Sequence, residues 1–545
     1  MKNIFYLFIL ILFSACKNDH ADLIVFNAKI YTVNQNFDTA TVLVIKKGTI
    51  INIGNQSLLD KYQSAEKYDA KGNFIYPGFM DAHCHFTGYA KDKYKLALFG
   101  TKSFDEVVAK IIAYSQHNQR EWIEGRGWDQ NDWEQKEFPT KDTLDKLFPN
   151  TPVFLMRIDG HAILCNQKAL DIAGIDENTK IEGGEIIKNN GKLTGMLIDN
   201  ASEIVKKVLP TRSDDEIIQD FIKAENDCAS FGLTSVVDCG IDHSTIELLK
   251  KAYSQKKLSI KTAAMLSLDE ENISRYLHQK PYNDKQLHII GYKVYADGAL
   301  GSRGALLLKE YADRHLHLGL QLIPTDSLKK IATEIAKSNY QLCVHAIGDS
   351  ANRMVLKIYA EVLQGENDRR WRIEHAQVID EGDFHYFGEY QIVPSVQPTH
   401  ATSDMYWAQD RVGAQRIKNA YAYQKLLMQN QWIPLGTDFP VEGVNPLQTF
   451  YAAVFRIDQN HFPQNGFEIE NALTREQALR GMTIWAAKSA FEEKEKGSLE
   501  IGKSADFCVL PIDLMTASPA EISQAKVMRT FINGRLIFEN KSNIH

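Results

Sequence analysis

The sequence predicts an α/β protein: a (β/α)8 TIM barrel with a small β-sandwich built from both termini and an inserted α+β subdomain. Three observations carry this expectation. Apolar strand-like runs alternate with helical patterns through the body of the chain. Short β segments stand at both ends, where only each other offers a partner sheet. A stretch of about 150 residues breaks the rhythm after the first strand, far more than one βα connection needs.

The sandwich is expected from residues 22–76 and 490–545. Asp22 to Tyr31 and Thr41 to Gly54 alternate apolar and polar residues, with a turn at Lys46-Lys47-Gly48. At the other end, Ala505 to Pro511 reads as a strand and Val527 to Phe538 as a hairpin turning at Asn533-Gly534. The barrel is expected over 77–489. Its eight candidate strands are Phe74–Met80, Leu233–Asp238, Ile260–Leu266, Gly291–Ala296, Gln341–His345, Arg372–His375, Ile392–Val396 and Ile433–Thr437, with helical stretches such as Leu328–Ser338 and Ala351–Val362 between them. The insert, at 89–210, contains a strand of its own, Val153–Ile158, and turns around Gly125-Arg126-Gly127-Trp128. It is expected to cover the barrel mouth.

The first residues are different in kind. Met1-Lys2-Asn3 is positively charged, Ile4 to Phe13 is an apolar run too short for a permanent bilayer span, and Ser14-Ala15 precede Cys16. This order is that of a secretory signal, and a cysteine after Ser-Ala resembles a bacterial lipoprotein signal, with Phe13 where leucine is usual. The resemblance implies a signal peptide at 1–16, a lipid on Cys16 and a soluble domain held at the cell envelope, periplasmic or outer-membrane, without a spanning helix. Six other cysteines are widely separated, form no CxxC pair and receive no chemistry. Hydrophobic residues at 44% and charged residues at 24% fit a globular enzyme, and a formal charge of −7 gives no electrostatic reason to bind nucleic acid.

Five segments carry the chemistry. In Asp81-Ala82-His83-Cys84-His85 the two histidines are two apart in extended backbone, so they share a face and can converge on one metal. His315-Leu316-His317 has the same spacing without the apolar strand and is read as coincidence. Lys293 lies inside an apolar strand, where a buried ammonium needs compensation. It is either ion-paired or snorkelling, or carboxylated by carbon dioxide to a carbamate that bridges two cations. His345 and His375 each end an apolar strand, thirty residues apart, the length of one βα unit. Asp438 ends another, as a helix cap or as a ligand and proton acceptor. In a parallel barrel all these strand ends meet on one face, which suits a binuclear metal hydrolase.

The order HxH, lysine, histidine, histidine, aspartate resembles the amidohydrolase superfamily. Asp297-Gly298-Ala299-Leu300-Gly301-Ser302, Arg372-Ile373-Glu374-His375 and Gly436-Thr437-Asp438-Phe439-Pro440 resemble its branch of N-substituted formamide deformylases, as do Asp159-Gly160-His161 and Gly497-Ser498-Leu499. The resemblance implies that His83, His85 and Asp438 bind one divalent metal and His345 and His375 a second, with carboxylated Lys293 as bridge; the ligand types suit zinc, and manganese and iron stay open. It further implies that a metal-activated hydroxide hydrolyses a C–N bond in an amide, N-substituted formamide or cyclic amide, with Asp438 and Lys293 as catalytic groups. His161, Arg303 and Trp128 are candidate substrate contacts, although Arg303 equally suits a surface ion pair and Trp128 packing within the insert. A hydrolase of esters, lactones or phosphoesters, or a solute-binding lipoprotein, remains the alternative.

Cys16→Ser is expected to release the protein from the membrane fraction or to stall its processing. Equal membrane retention of both forms, with normal cleavage, would remove the lipid anchor from this account.

Overall fold

The computed structural model describes residues 19–118, 120–158, 162–181 and 184–541. Cys16 and His161 lie outside them. The chain divides into two compact units, one made of residues 19–87 with 225–541 and one of residues 88–224. No helix among the described residues is long and apolar enough to cross a membrane.

The first unit begins with two sheets. One has four strands in the order Thr49–Gly54, Val42–Lys46, Asp19–Phe26, Tyr62–Asp69. The other has six, and its middle joins the ends of the chain: Phe74–Pro77 pairs antiparallel with Phe507–Leu510, which pairs in turn with Arg529–Ile532. Alternation decides what each strand buries. Leu23, Val25, Leu43 and Ile45 from one sheet meet Ile30, Ile75, Phe507, Val509 and Phe531 from the other in a single apolar core.

The body of this unit is a seven-stranded sheet, parallel throughout. Its order is Phe79–Cys84, Leu233–Ile241, Lys261–Ser267, Leu287–Tyr295, Gln341–Ala346, Arg372–His375, Val393–Ser395. The sheet is nearly closed. The run 433–437 lies in the gap without forming a regular strand: Val396 N–H donates to Pro434 O, Gly436 N–H to Val396 O, and Ala82 N–H to Leu435 O. Pro434 has no N–H to give, and that of Leu435 donates to Gly481 O instead, so no ladder can build there. Small and apolar side chains fill the ring, with Met80, Val237, Ala263, Met265 and Ile290 inside and Ala486, Ala487 and Ala490 stoppering the end where the strands begin.

The expected first barrel strand, Phe74–Met80, is two strands. Phe74–Pro77 belongs to the sandwich and Phe79–Cys84 to the barrel, and the chain changes sheet at Gly78. Gly78 donates to Asp506 O while Phe79 donates to Gly232 O, and a side chain at 78 would strike Thr234 at 2.3 Å. Hydrophobicity is continuous across this junction, so the run looks like one element until the partners are known.

The second unit, described by itself, has a six-stranded mixed sheet ordered Gly184–Asn189, Lys192–Asp199, Ala162–Cys165, Val153–Arg157, Ile123–Trp128, Leu96–Ala97. Trp128 and Trp133 sit in one of its apolar cores and Trp122 in another.

A buried ion pair ties sandwich to barrel. Lys261 Nζ, at the start of a barrel strand, lies 2.5 Å from Asp506 Oδ2, and Asp506 Oδ1 accepts the Asn533 N–H. Removing one partner of such a pair strands the other charge. Asp506→Leu is therefore expected to cost ~3–5 kcal/mol by urea denaturation, and Lys261→Met with Asp506→Leu distinctly less. A double variant no more stable than the single one would contradict this.

Candidate metal centre

The carboxyl ends of the barrel strands bring together His83, His85, Lys293, His345, His375 and Asp438. His83 and His85 close the Phe79–Cys84 strand, and His345 and His375 lie at the ends of neighbouring strands, where Ala346 pairs with His375. Ring centroids are 4.9 Å apart for His83 and His375 and 4.5 Å for His345 and His375. Asp438 follows the 433–437 run, which is pinned against the first strand. Asp81 Oδ1 accepts the N–H groups of His83 and Thr437, its Oδ2 accepts the Thr437 hydroxyl at 2.6 Å, and Asp438 N–H donates to His83 O at 2.8 Å. Gly436 permits this approach, since a Cβ there would lie 2.5 Å from His83 N.

His375 (φ 75°) and Asp438 (φ 64°) both adopt left-handed backbone, which costs a residue with a side chain of order 1–3 kcal/mol. The surrounding hydrogen bonds hold both turns, and each aims its side chain at the centre.

The donor atoms fit a cation. His83 Nε2 and Asp438 Oδ1 are buried and meet no hydrogen-bond partner among the protein atoms. One ligand atom from each of His83, His375 and Asp438 lies within 4.8 Å of the others. Asp438 Oδ1 is 3.5 Å from His83 Nε2 and 3.3 Å from His85 Nε2. Two ligands each ~2.0–2.1 Å from a tetrahedral zinc would be about 3.3 Å apart.

Protonation suits the same role at two of the histidines. Burial and the neighbouring Lys293 ammonium push His345 down to about 3, and burial with the adjacent His345 holds His375 well below its usual range. Both are therefore neutral imidazoles with a lone pair to offer. Burial alone would raise the Asp438 carboxyl, but His400, His83 and His85 hold it well below the ordinary carboxylate range.

Behind these groups stands a second layer that the sequence did not expose. His83 Nδ1 lies 2.5 Å from Glu374 Oε2, and Glu374 pairs with Arg372 at 2.7 Å, all three side chains fully buried. His85 Nδ1 faces Cys239 O at 2.9 Å and His375 Nδ1 faces Gln397 Oε1 at 2.8 Å. Such contacts select the tautomer that leaves Nε2 free for a metal. His345 Nε2 lies 3.5 Å from Asp297 Oδ1, and Asp297 accepts N–H groups from Leu306, Ile347 and Gly348. His400 bridges Asp438 Oδ2 (3.3 Å) and Glu442 Oε1 (3.0 Å), which together raise it to about 10 against the opposing effect of burial. A signal for one of these existed. Arg372 and Glu374 are two apart in an apolar strand, hence on one face, where opposite charges compensate each other. His400, in Gln397-Pro398-Thr399-His400, carries no comparable pattern.

Lys293 is 2% exposed, and its Nζ lies 4.7 Å from the centre of the Tyr295 ring. No carboxylate among the described residues forms an ion pair with it, so the ion-paired reading loses its partner. The remaining candidates stand elsewhere. Arg303 binds both carboxylate oxygens of Asp313, at 3.1 and 2.8 Å, and is thereby committed to a neighbour rather than free to clamp a substrate. Trp128 is 1% exposed, its indole N–H donating to Leu155 O within its own sheet, so it offers no face to a ligand. His315 is exposed beside Glu310, and His317 bonds Arg303 O. The six described cysteines are buried and form no disulfide.

Known proteins resemble the chain along most of its length. A model of the amidohydrolase family matches residues 66–538. The chain is 33% identical to the protein LONG AFTER FAR-RED 3 of Arabidopsis thaliana, over 95% of this chain and 92% of that one. It is 26% identical to an N-substituted formamide deformylase of Arthrobacter pascens, over 95% and 98%. Among solved structures, an uncharacterized metal-dependent hydrolase of Pyrococcus furiosus superposes with a TM-score of 0.75 at 26% identity, covering 91% of this chain and all of that one. With the family match spanning most of its length, and with a buried cluster of histidines and an aspartate suited to a metal, the chain belongs to the amidohydrolase family.

Proposed function

We propose that the protein hydrolyses a C–N bond in a small-molecule amide, N-substituted formamide or cyclic amide, using up to two divalent metals. The observation that carries this reading is the pair of buried atoms His83 Nε2 and Asp438 Oδ1, which meet no hydrogen-bond partner in the protein and cluster with a ligand atom of His375. His83, His85 and Asp438 would hold one metal and His345 and His375 another, and imidazole with carboxylate suits zinc. When bound, the metals supply acidity to a water and polarise the substrate carbonyl.

The chain's own groups do the rest. Asp438 accepts the proton of the attacking water and passes it to the departing nitrogen. Its Oδ1 faces His83 and His85 while its Oδ2 faces His400, so one oxygen can serve a ligand role while the other is steadied by an imidazole. Lys293, buried next to both groups of ligands, would shed its ammonium proton and then add carbon dioxide at the neutral amine with loss of a second proton, which would make it an anionic ligand. Glu374 and Arg372 hold His83 in orientation. The amide reading is supported by the similarity to a formamide deformylase along nearly the whole chain. The signal pattern ending at Cys16 supports a place at the bacterial cell envelope, lipid-anchored.

The test is a panel of N-formyl and N-acyl compounds with metal-loaded protein. Asp438→Asn is expected to lower the rate by ~10²–10⁴-fold, the usual contribution of general acid–base catalysis. Near-normal turnover by this variant would sink the mechanism. His83→Ala and His345→Ala are expected to lose both metal content and activity. Lys293→Ala should be inactive and partly restored by a short carboxylic acid in excess. Full activity of Lys293→Ala without any added acid would exclude the bridging role.

A further inference from the structure

Beside the ligand cluster, on the same rim, lies a cavity of about 260 Å³. It opens between the helix Pro398–Asp404, which follows the last barrel strand, and the helix Pro446–Phe455, which follows Asp438. Thr399, Ser403, Tyr406, Glu442, Tyr451 and Asp458 are among its walls, and no lysine or arginine is. It is smaller than the roughly 300 Å³ lower end of drug-sized sites, which suits one short arm of a substrate rather than a whole ligand.

Two independent features point to what enters. The first is charge. Glu442 is answered by His400, whereas Asp458 is met by neutral donors alone, the Tyr406 hydroxyl and the N–H groups of Asn460 and Phe462. Those donors hold the Asp458 carboxyl below its ordinary range despite partial burial, so it faces the cavity side as an anion. The second is an unanswered hydroxyl. Thr399 is 8% exposed, lines the cavity, and its Oγ1 has no hydrogen-bond partner in the protein. An anion, an idle acceptor and the rings of Tyr406 and Tyr451 together suit an ammonium group.

The direction of the arm follows from Asp438. Its Oδ1 faces the metal ligands, and its Oδ2 contacts His400, whose other nitrogen reaches Glu442 on the cavity wall. On the hydrolysis reading the departing nitrogen collects its proton from Asp438, whose Oδ2 adjoins this cavity through His400 and Glu442.

We propose that the cavity is the subsite for the nitrogen-side substituent of the substrate and that it selects a substituent ending in a cation. This inference rests on the C–N hydrolysis reading above. It is tested with full-length, metal-loaded protein and two substrates of equal length, N-formyl-1,4-diaminobutane and N-formylpentylamine, which differ in a terminal ammonium against a methyl group. The expected result is about tenfold higher kcat/KM for the cationic substrate, carried by KM, and loss of that preference in Asp458→Asn. Calorimetric binding of 1,4-diaminobutane should weaken in the same variant and, several-fold, in Thr399→Val, which removes a hydroxyl without changing shape and whose folding is checked by its melting temperature.

The outcomes separate the two readings. Turnover of N-formylpentylamine with no preference for the cation, or a preference that survives Asp458→Asn, overturns the subsite and leaves the hydrolase. Diamine binding that depends on Asp458 and Thr399, with neither formamide turned over, upholds the subsite and overturns formamide hydrolysis. Diamine binding indifferent to both substitutions overturns the subsite, whatever the activity.

Discussion

A carboxylate removed from water must find compensation for both oxygens, and Glu374 finds it inside the barrel. Arg372 lies 2.7 Å from Oε1 and His83 Nδ1 lies 2.5 Å from Oε2, with none of the three side chains exposed. Charge balance is only part of the result. Arg372 also donates to Ala82 O and to the Ser395 hydroxyl, both at 2.6 Å, so one guanidinium joins the first, sixth and seventh strands of the sheet. Burial makes Glu374 harder to ionise, yet Arg372 and His83 hold its carboxyl down at about 2. It remains an anion across the neutral range and keeps the Nδ1 proton of His83, which directs Nε2 toward the centre. The site and the closure of the sheet thus share one interaction.

The same economy of parts recurs at the gap in the sheet. Regular pairing would place Asp438 at the end of an eighth strand, with its direction set by the pleat. Pro434 and the diversion of Leu435 to Gly481 prevent that ladder, so the 433–437 run is held by a few bonds to each side. The left-handed turn at Asp438 then becomes possible, and Asp81 and Thr437 fix it. An irregular segment at that point gives the carboxylate two differently placed oxygens, one toward His83 and His85 and one toward His400.

Function on this fold is decided by sites rather than by architecture, and the cavity beside His400 illustrates why. Barrel strands hold the ligand atoms within a few ångströms of one another, while loops and helices beyond the strand ends, including Thr399, Glu442 and Asp458, line the cavity beside them. The first set identifies a metal-dependent hydrolase. The second set is where, on the subsite proposed above, one substrate would be told from another.

What the sequence by itself determined is everything that local periodicity and residue chemistry can carry. His83 and His85 share a face because extended backbone repeats every two residues, and the apolar runs before Lys293, His345 and His375 mark strands whose ends lie together in any parallel barrel. Alternation at both termini similarly announced β structure. Tertiary structure decided the partners. Glu374 meets His83 across 291 positions and Lys261 meets Asp506 across 245, distances over which no pattern in the chain singles out one partner. The division at Gly78 was hidden because both halves are apolar. Arg303 and Trp128 looked available because their residue types suit ligands, and only packing shows them bound to Asp313 and Leu155. His400 lay unmarked because a histidine on a short helix becomes part of a site only when a closed barrel sets Asp438 and Glu442 on either side of it.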